Sequence, residues 1–160
     1  MTKLNLTSLY SMVAGSMDRY GDAPETDEEF CDAIITAASY AVRHIGVGHL
    51  PIDKLPLGGT FGLIFFGAAT IVRRDKKANL RMYGTPDLVS YTPNGSLATP
   101  SGVTNAIYSI ILTAARSQIE KEDRADKMID VMLMLADACV DYKIDLEEAV
   151  ILAVESSIGE

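Results

Sequence analysis

An uncharged apolar segment in the middle of the chain constrains its fold more than any other feature. Leu55 to Val72 contains no charged residue over eighteen positions. Such a segment must leave water, either in a protein core or in a membrane. Its length only reaches the lower limit of a membrane span, and its glycines and Pro56 lower its hydrophobicity. We therefore expect a buried central helix, with a pair of buried strands over 58–72 as the alternative.

Amphipathic helical patterns flank this segment on both sides. Apolar residues three and four apart over Leu6 to Tyr20 predict one helix, and a capping box that starts at Thr26 predicts a second. The same spacing returns from Val103. Met128 to Tyr142 is apolar almost all round, which is typical of a central or interface helix. A last helix is predicted from Asp145.

The segment before Val103 has a different composition. Residues 81–101 are rich in Gly, Pro, Ser, Thr and Asn, and the Pro93-Asn94-Gly95 turn favours a short β-hairpin, with a long ordered loop as the alternative. The chain is thus predicted to be one mainly α domain, 1–160, a bundle of about five to six helices. Its parts are a helical hairpin (6–45), the apolar central segment (55–78), the loop or β-hairpin (81–101), and a second hairpin with the last helix (102–158).

Composition excludes some classes of function. The chain has 160 residues and a net charge of −8, so a duplex nucleic acid would repel it. Cys31 and Cys139 lie in apolar helical patterns and are predicted to be small buried hydrophobes. The first residues do not resemble a secretion signal, and a cytoplasmic location is therefore expected. A membrane location is not expected.

One local cluster departs from the acidic composition. Five cations form a basic island at the end of the apolar segment: Arg73, Arg74, Lys76, Lys77 and Arg81. Such a cluster can simply be the solvent-exposed end of a helix and the loop that follows it. The functional alternative is a site that binds an anion or a phosphate group. The same island argues against an acidic protein that mimics DNA.

Two sets of carboxylates are candidate metal ligands. The first lies in the first turns of the second helix, and the second lies at helical spacing near the start of the 128–142 helix. For the first set, the helix dipole is a sufficient explanation, because acidic residues are favoured at a helix N-terminus. For the second set, carboxylates at helical spacing usually form a solvent-exposed helix face. If the two sets converged, however, they would offer oxygen ligands to Mg²⁺. The candidates are Glu28, Glu29, Asp32, Asp126 and Asp130.

The C-terminal carboxylates also carry a family resemblance. Asp126 to Val150 resembles the last two helices of MazG-like all-α nucleoside triphosphate pyrophosphohydrolases, in which an acidic E-x-x-D opens an apolar helix. Asp130 matches the motif aspartate, and Ile144 to Ala149 match the later helix start. Lys127 stands at the position of the motif glutamate. The resemblance implies a helical bundle, usually a dimer or tetramer, that splits pyrophosphate from nucleotides with Mg²⁺.

Two functional hypotheses follow. The first is a non-enzymatic helical protein that works through homo-oligomerisation or a partner protein and uses no cofactor. It rests on the surplus of apolar helix surface and on the lack of a complete catalytic set. The second is a divergent Mg²⁺-dependent nucleotide pyrophosphohydrolase, in which the five carboxylates hold the metal and the basic island holds phosphates.

Overall fold

The chain is mainly helical over the residues that the computed structural model describes, namely 3–46, 57–93 and 100–158. This confirms the prediction of a mainly α fold. The described residues form eight helices instead of five to six, because two short helices follow the central segment. The helices are α1 (Leu6–Tyr20), α2 (Asp27–Gly46), α3 (Leu57–Arg74), α4 (Lys76–Gly84), α5 (Pro86–Val89), α6 (Pro100–Ile119), α7 (Arg124–Asp141) and α8 (Leu146–Ile158).

The apolar segment becomes helix α3, which lies at the centre of the core. Phe61, Ile64 and Phe65 are fully buried, and α3 packs against α2, α7 and α8 and against the shorter α4. Residues 58–72 are therefore helical, as predicted, and the alternative of two buried strands is wrong. Within the described parts of the chain, no helix has the length and apolarity needed to cross a bilayer.

The segment that follows α3 is more helical than its composition indicates. Asp75 interrupts the predicted 55–78 element, because its backbone is extended and its carboxylate accepts the Ala78 N–H at 3.0 Å to start α4. Leu88 and Val89, in the first arm of the predicted β-hairpin, are helical and belong to α5. Tyr91 instead makes an isolated antiparallel bridge with Leu4, at N–O distances of 2.7 and 2.9 Å. The proposed turn and second arm, 94–99, lie outside the described residues.

The remaining helices surround α3 in two layers. Helices α2 and α7 pack directly on α3, and α6 packs mainly on α2 and α7. On another side of α3, α8 forms the cover, and α1 packs on α8 and α3. Helix α6 therefore lies in an outer layer, where the described part of the chain covers one of its sides.

The turn between α7 and α8 contains a left-handed backbone conformation at a residue that is not glycine. Lys143 has a φ of 53°, in the left-handed region that usually selects glycine. The Ile144 N–H donates to the Cys139 carbonyl at 2.9 Å, and the Lys143 N–H donates to Val140 at 3.2 Å. These two bonds form a Schellman motif, which ends α7 and turns the chain into α8.

Helices α3 and α8 approach each other most closely at Gly62. A Cβ at this position would overlap the backbone carbonyl of Ala149 and would lie 3.4 Å from the Cβ of Ala153. Gly58 and Gly59, one turn earlier in α3, have open space instead. Of these three glycines, Gly62 is therefore the one required by packing.

We expect Gly62→Ala to lower the free energy of unfolding by about 1–3 kcal/mol, since the added methyl group must push the α8 backbone away. Gly59→Ala is the control within the same helix. It is expected to be neutral or stabilising by up to about 1 kcal/mol, because alanine favours helix. Urea unfolding followed by circular dichroism measures both. Equal effects of the two substitutions would contradict the close packing of α3 on α8.

Candidate functional site

The two arginines that begin the basic island are engaged by carboxylates. Arg73 pairs with Asp18 at 2.8 Å, and Arg74 pairs with Asp22 at 3.1 Å and with Asp27 at 2.9 Å. Arg74 also donates to the Ala23 carbonyl at 2.9 Å. These contacts fix the end of α3 against the segment that joins α1 to α2. The two guanidinium groups therefore have a structural task in the fold.

A polar cavity of about 580 Å³ adjoins these ion pairs between α1, α3 and α4. Its lining places two acids beside the two bases, so an anion that entered it would meet Asp18 and Asp22 as well as the arginines. The other members of the island lie elsewhere: Arg81 pairs with Asp126, and Lys76 and Lys77 are exposed on α4. The anion-binding hypothesis remains a prediction, and of its five cations Arg73 and Arg74 line this cavity.

The candidate metal ligands occupy separate surroundings. Glu28 pairs with Arg124 at 3.3 Å, and Asp126 pairs with Arg81. Glu29 completes the capping box with Thr26, in which the Glu29 N–H donates to the Thr26 hydroxyl at 3.2 Å. Asp130 and Asp32 are exposed, the former on α7 and the latter on α2. Among the described residues, no group of three or more His, Cys, Asp or Glu side chains is placed to hold a metal ion.

Arg124 is the cation that joins α2, α6 and α7. Its residue exposure is only 7 %, and its Nε donates to the Ser117 carbonyl at 2.6 Å. A second donation reaches the Gln118 carbonyl at 3.3 Å. Both acceptors lie in the last turn of α6, where carbonyl groups lack helical partners and the helix dipole favours a cation. The Gln118 amide in turn donates to the backbone of Glu28 at 3.3 Å. The end of α6 is thus tied to the starts of α2 and α7.

Helix α6 has an apolar side that faces away from the protein. Its inward side contributes the buried residues Ile107, Ile110 and Ala114. On the opposite side, large apolar side chains remain in water, with exposures of 53 % at Tyr108, 54 % at Leu112 and 83 % at Ile119. With the partly buried Ala115, these three residues form what we call the outer stripe.

The outer stripe has the spacing of a helix–helix contact. Its members Tyr108, Leu112, Ala115 and Ile119 follow each other by four, three and four residues, which alternates as the a and d positions of a heptad do. At 100° per residue they lie within about 60° of one another on the helix surface. A single line of this kind is typical of a seam between two helices and is unlike the scattered apolar residues of an ordinary surface.

Little charge accompanies the outer stripe. The twenty residues of α6 include one charged side chain, Arg116, whereas 22 % of the whole chain is charged. Burying this side of α6 would therefore desolvate few ions, which lowers the cost of a contact.

A second apolar feature is a groove of about 410 Å³ near the C-terminal end of α8. Met17 and Tyr20 of α1 line it, together with Phe30, Leu63 and Phe66. Its charged lining residues are both acidic, Asp22 and Glu25, and Asp22 is already paired with Arg74. The lining of this groove comes from four helices and a loop, whereas the outer stripe lies on a single helix.

The two cysteines are buried, as the sequence predicts. Cys31 is fully buried and Cys139 is 3 % exposed, and both thiols are free. Burial raises the pKa of Cys31 to about 11 and raises the pKa of Cys139 further still. Neither thiol is therefore ionised at neutral pH, as a nucleophile would need to be.

A scan against protein-family models, a search of curated proteins and a search of solved structures each find no match to this chain. The functional argument therefore rests on the arrangement of the residues themselves.

Sequence reasoning missed both the outer stripe and Arg124. The helical periodicity from Val103 predicts the inward side of α6, and the apolar residues outside that period form a second line on the same helix. Their spacing of four, three and four was the available signal. For Arg124 the sequence holds no comparable signal, because its partners are carbonyl groups in α6 and a carboxylate about a hundred positions away.

We expect Arg124→Met to lower the free energy of unfolding by about 2 kcal/mol. The methionine keeps the buried apolar stem, but the carbonyls of Ser117 and Gln118 lose their donor and Glu28 loses its cation. Arg19→Met, an exposed arginine at the end of α1, is the control and should change the value by less than about 0.5 kcal/mol. Urea unfolding at neutral pH measures both, and equal losses would show that Arg124 does not hold the helices together.

The Arg74–Asp22 pair predicts a dependence of stability on pH. Partial burial acts to raise the pKa of Asp22, but the hydrogen bond and charge of Arg74 outweigh it and hold that pKa below its usual range. A carboxylate with a lowered pKa stabilises the fold above its unfolded pKa of about 3.9, and this contribution is lost as the pH falls through the folded value.

Urea unfolding should therefore show a larger loss of stability between about pH 6 and about pH 3 in the wild type than in Asp22→Asn. Arg74→Gln should reduce the dependence in the same direction, since it removes the other partner of the pair. An unchanged pH dependence in both variants would contradict the assignment.

Proposed function

We propose that this chain is a non-enzymatic protein that works through contact with another polypeptide, and that the outer stripe of α6 is the contact surface. The observation that carries the proposal is the line of exposed apolar side chains at heptad spacing, Tyr108, Leu112 and Ile119, on the side of α6 opposite its core contacts. A helix of a partner protein fits such a line, because knobs of one helix enter holes between residues of the other.

The energetics favour a contact at this surface. Moving a Leu or Ile side chain fully out of water stabilises a complex by about 1.5–3 kcal/mol, and the stripe offers three large side chains that are about half or more exposed. These side chains lie on successive turns along one side of α6. In interfaces of this kind, a few clustered anchor residues dominate the affinity.

The position of α6 favours binding as well. Its inward side is buried against α2 and α7, and Arg124 fixes its C-terminal end through the Ser117 and Gln118 carbonyls. A surface held in this way loses little conformational entropy when a partner arrives. The outer stripe is thus a preformed surface, and binding needs no refolding of the helix.

The alternative function is the Mg²⁺-dependent pyrophosphohydrolase implied by the resemblance at 126–150. The carboxylates as arranged do not fit the ion, since Arg124 engages Glu28, Arg81 engages Asp126 and Glu29 caps α2. Release of pyrophosphate from a nucleotide panel with Mg²⁺, lost on Asp130→Asn, would establish the alternative and overturn the non-enzymatic proposal.

The proposal predicts that Leu112→Glu strongly weakens the interaction. The immobilised wild-type chain, exposed to a lysate of its source cells, should retain a specific protein, either a different one or this chain itself, identified by mass spectrometry. Leu112→Glu should weaken retention at least about tenfold, because a carboxylate would be desolvated in an apolar seam.

Leu152→Glu is the matched control. Leu152 lies on α8 and is 52 % exposed, so it carries the same change at nearly the same exposure as Leu112 but lies off the outer stripe. It should retain the same protein as the wild type, and circular dichroism should give equal helix content for all three proteins. If the wild type and Leu112→Glu retain the same set of proteins, the outer stripe is not a contact surface.

A further inference from the structure

We infer that the partner of the outer stripe is a second copy of this chain, which binds with its own α6 antiparallel to the first. This inference rests on the proposed function and adds the identity of the partner and the direction of the contact. Three properties of the stripe support it: the order of large and small side chains along it, its charge, and its length.

The order of side-chain sizes selects the antiparallel direction. In an antiparallel pair of heptad seams, each a position lies opposite a d position of the other helix. A two-fold axis between Leu112 and Ala115 then places Leu112 of one copy against Ala115 of the other. The same axis places Tyr108 against Ile119. Each layer combines side chains of different type, and the small Ala115 receives the large Leu112.

A parallel pair gives a poorer fit. It would place identical residues opposite each other, so that the two Ala115 side chains would leave a gap between layers of Leu112 and Ile119. Close packing is a requirement of stable interfaces, and an undersized layer loses its dispersion contacts. The pattern large, large, small, large along Tyr108, Leu112, Ala115 and Ile119 is therefore self-complementary only when one copy is reversed.

Charge also favours a second copy at this surface. Two chains of net charge −8 repel each other, so a self-contact is most favourable where the surface is nearly uncharged. Arg116 is the one charged residue of α6, and the antiparallel pair places it beside Ser109 of the other copy instead of beside the other Arg116. Opposed helix dipoles add a small favourable contribution.

The length of the stripe limits the affinity. Tyr108 and Ile119 are separated by about 17 Å of helix axis. A contact of this length buries less than the roughly 1,200 Å² of a standard interface, so the dimer should be weak and half-populated at micromolar or higher concentrations. The oligomeric state must therefore be measured over a wide concentration range.

Sedimentation velocity from about 10 µM to about 1 mM tests the identity of the partner. The wild type and Leu152→Glu should pass from monomer to dimer with the same dissociation constant, and Leu112→Glu should weaken dimerisation at least tenfold. A wild type that stays monomeric throughout, or a dimer unaffected by Leu112→Glu, overturns the inference. The proposed function has its own test, since retention of a different protein through Leu112 would support it even if the chain is a monomer.

Cysteine cross-linking tests the direction. The native thiols of Cys31 and Cys139 are buried, so introduced cysteines are the reactive ones. An equimolar mixture of Leu112→Cys and a longer, tagged Ala115→Cys chain should give mainly the mixed disulfide under mild oxidation, since these positions face each other in the antiparallel pair. Each variant alone should cross-link several-fold less. Preferential linking of like with like would indicate a parallel pair and overturn the inferred direction.

Discussion

The burial of α3 is the constraint on which the rest of the structure depends. A helix with an apolar surface on nearly every side needs neighbours all round, and α2, α7 and α8 supply most of them. Helices α2 and α7 contact α6 as well as α3, so α6 forms the next layer outward. A helix in this outer layer has a buried side and a free side. The free side of α6 is apolar as well, and the part of the chain that the structure describes leaves its large side chains exposed.

Ion pairs and hydrogen bonds of three arginines hold this arrangement together. Arg73 and Arg74 attach the end of α3 to the α1–α2 connection, and Arg124 attaches the end of α6 to α2 and α7. The cation of Arg74 also lies 5.3 Å from the centre of the Phe30 ring. Pairing satisfies these ions where they are partly buried. The same pairing engages two cations of the basic island, Arg73 and Arg74, with carboxylates of the α1–α2 region.

The sequence predicted the helices whose signal is local and strong. The uncharged segment at 55–72, the capping box at Thr26 and the periodicity of α1 each arise from interactions within a few residues, so they can be recognised without a structure. The two short helices were missed because α4 buries only Ala78 and Met82 and lies in a polar, basic context. Asp75, an N-cap residue, was the one local signal for it.

Features that depend on distant contacts were not predictable in this way. The left-handed Lys143 lacks the glycine that usually marks a Schellman turn, and the role of Arg124 depends on where α6 happens to end. The outer stripe is predictable in part. Its heptad spacing is present in the sequence, but only the fold reveals which of the two apolar sides of α6 is covered and which one remains free.

The most direct measurement is the solvent accessibility of Tyr108 as a function of concentration, by hydroxyl-radical footprinting and mass spectrometry. Tyr20 on α1, which is 61 % exposed, serves as the reference within the same molecule. The account predicts that labelling of Tyr108 falls as the chain is concentrated, while labelling of Tyr20 stays constant. Equal labelling of Tyr108 at all concentrations and in the presence of any retained partner would contradict a role for the outer stripe in binding.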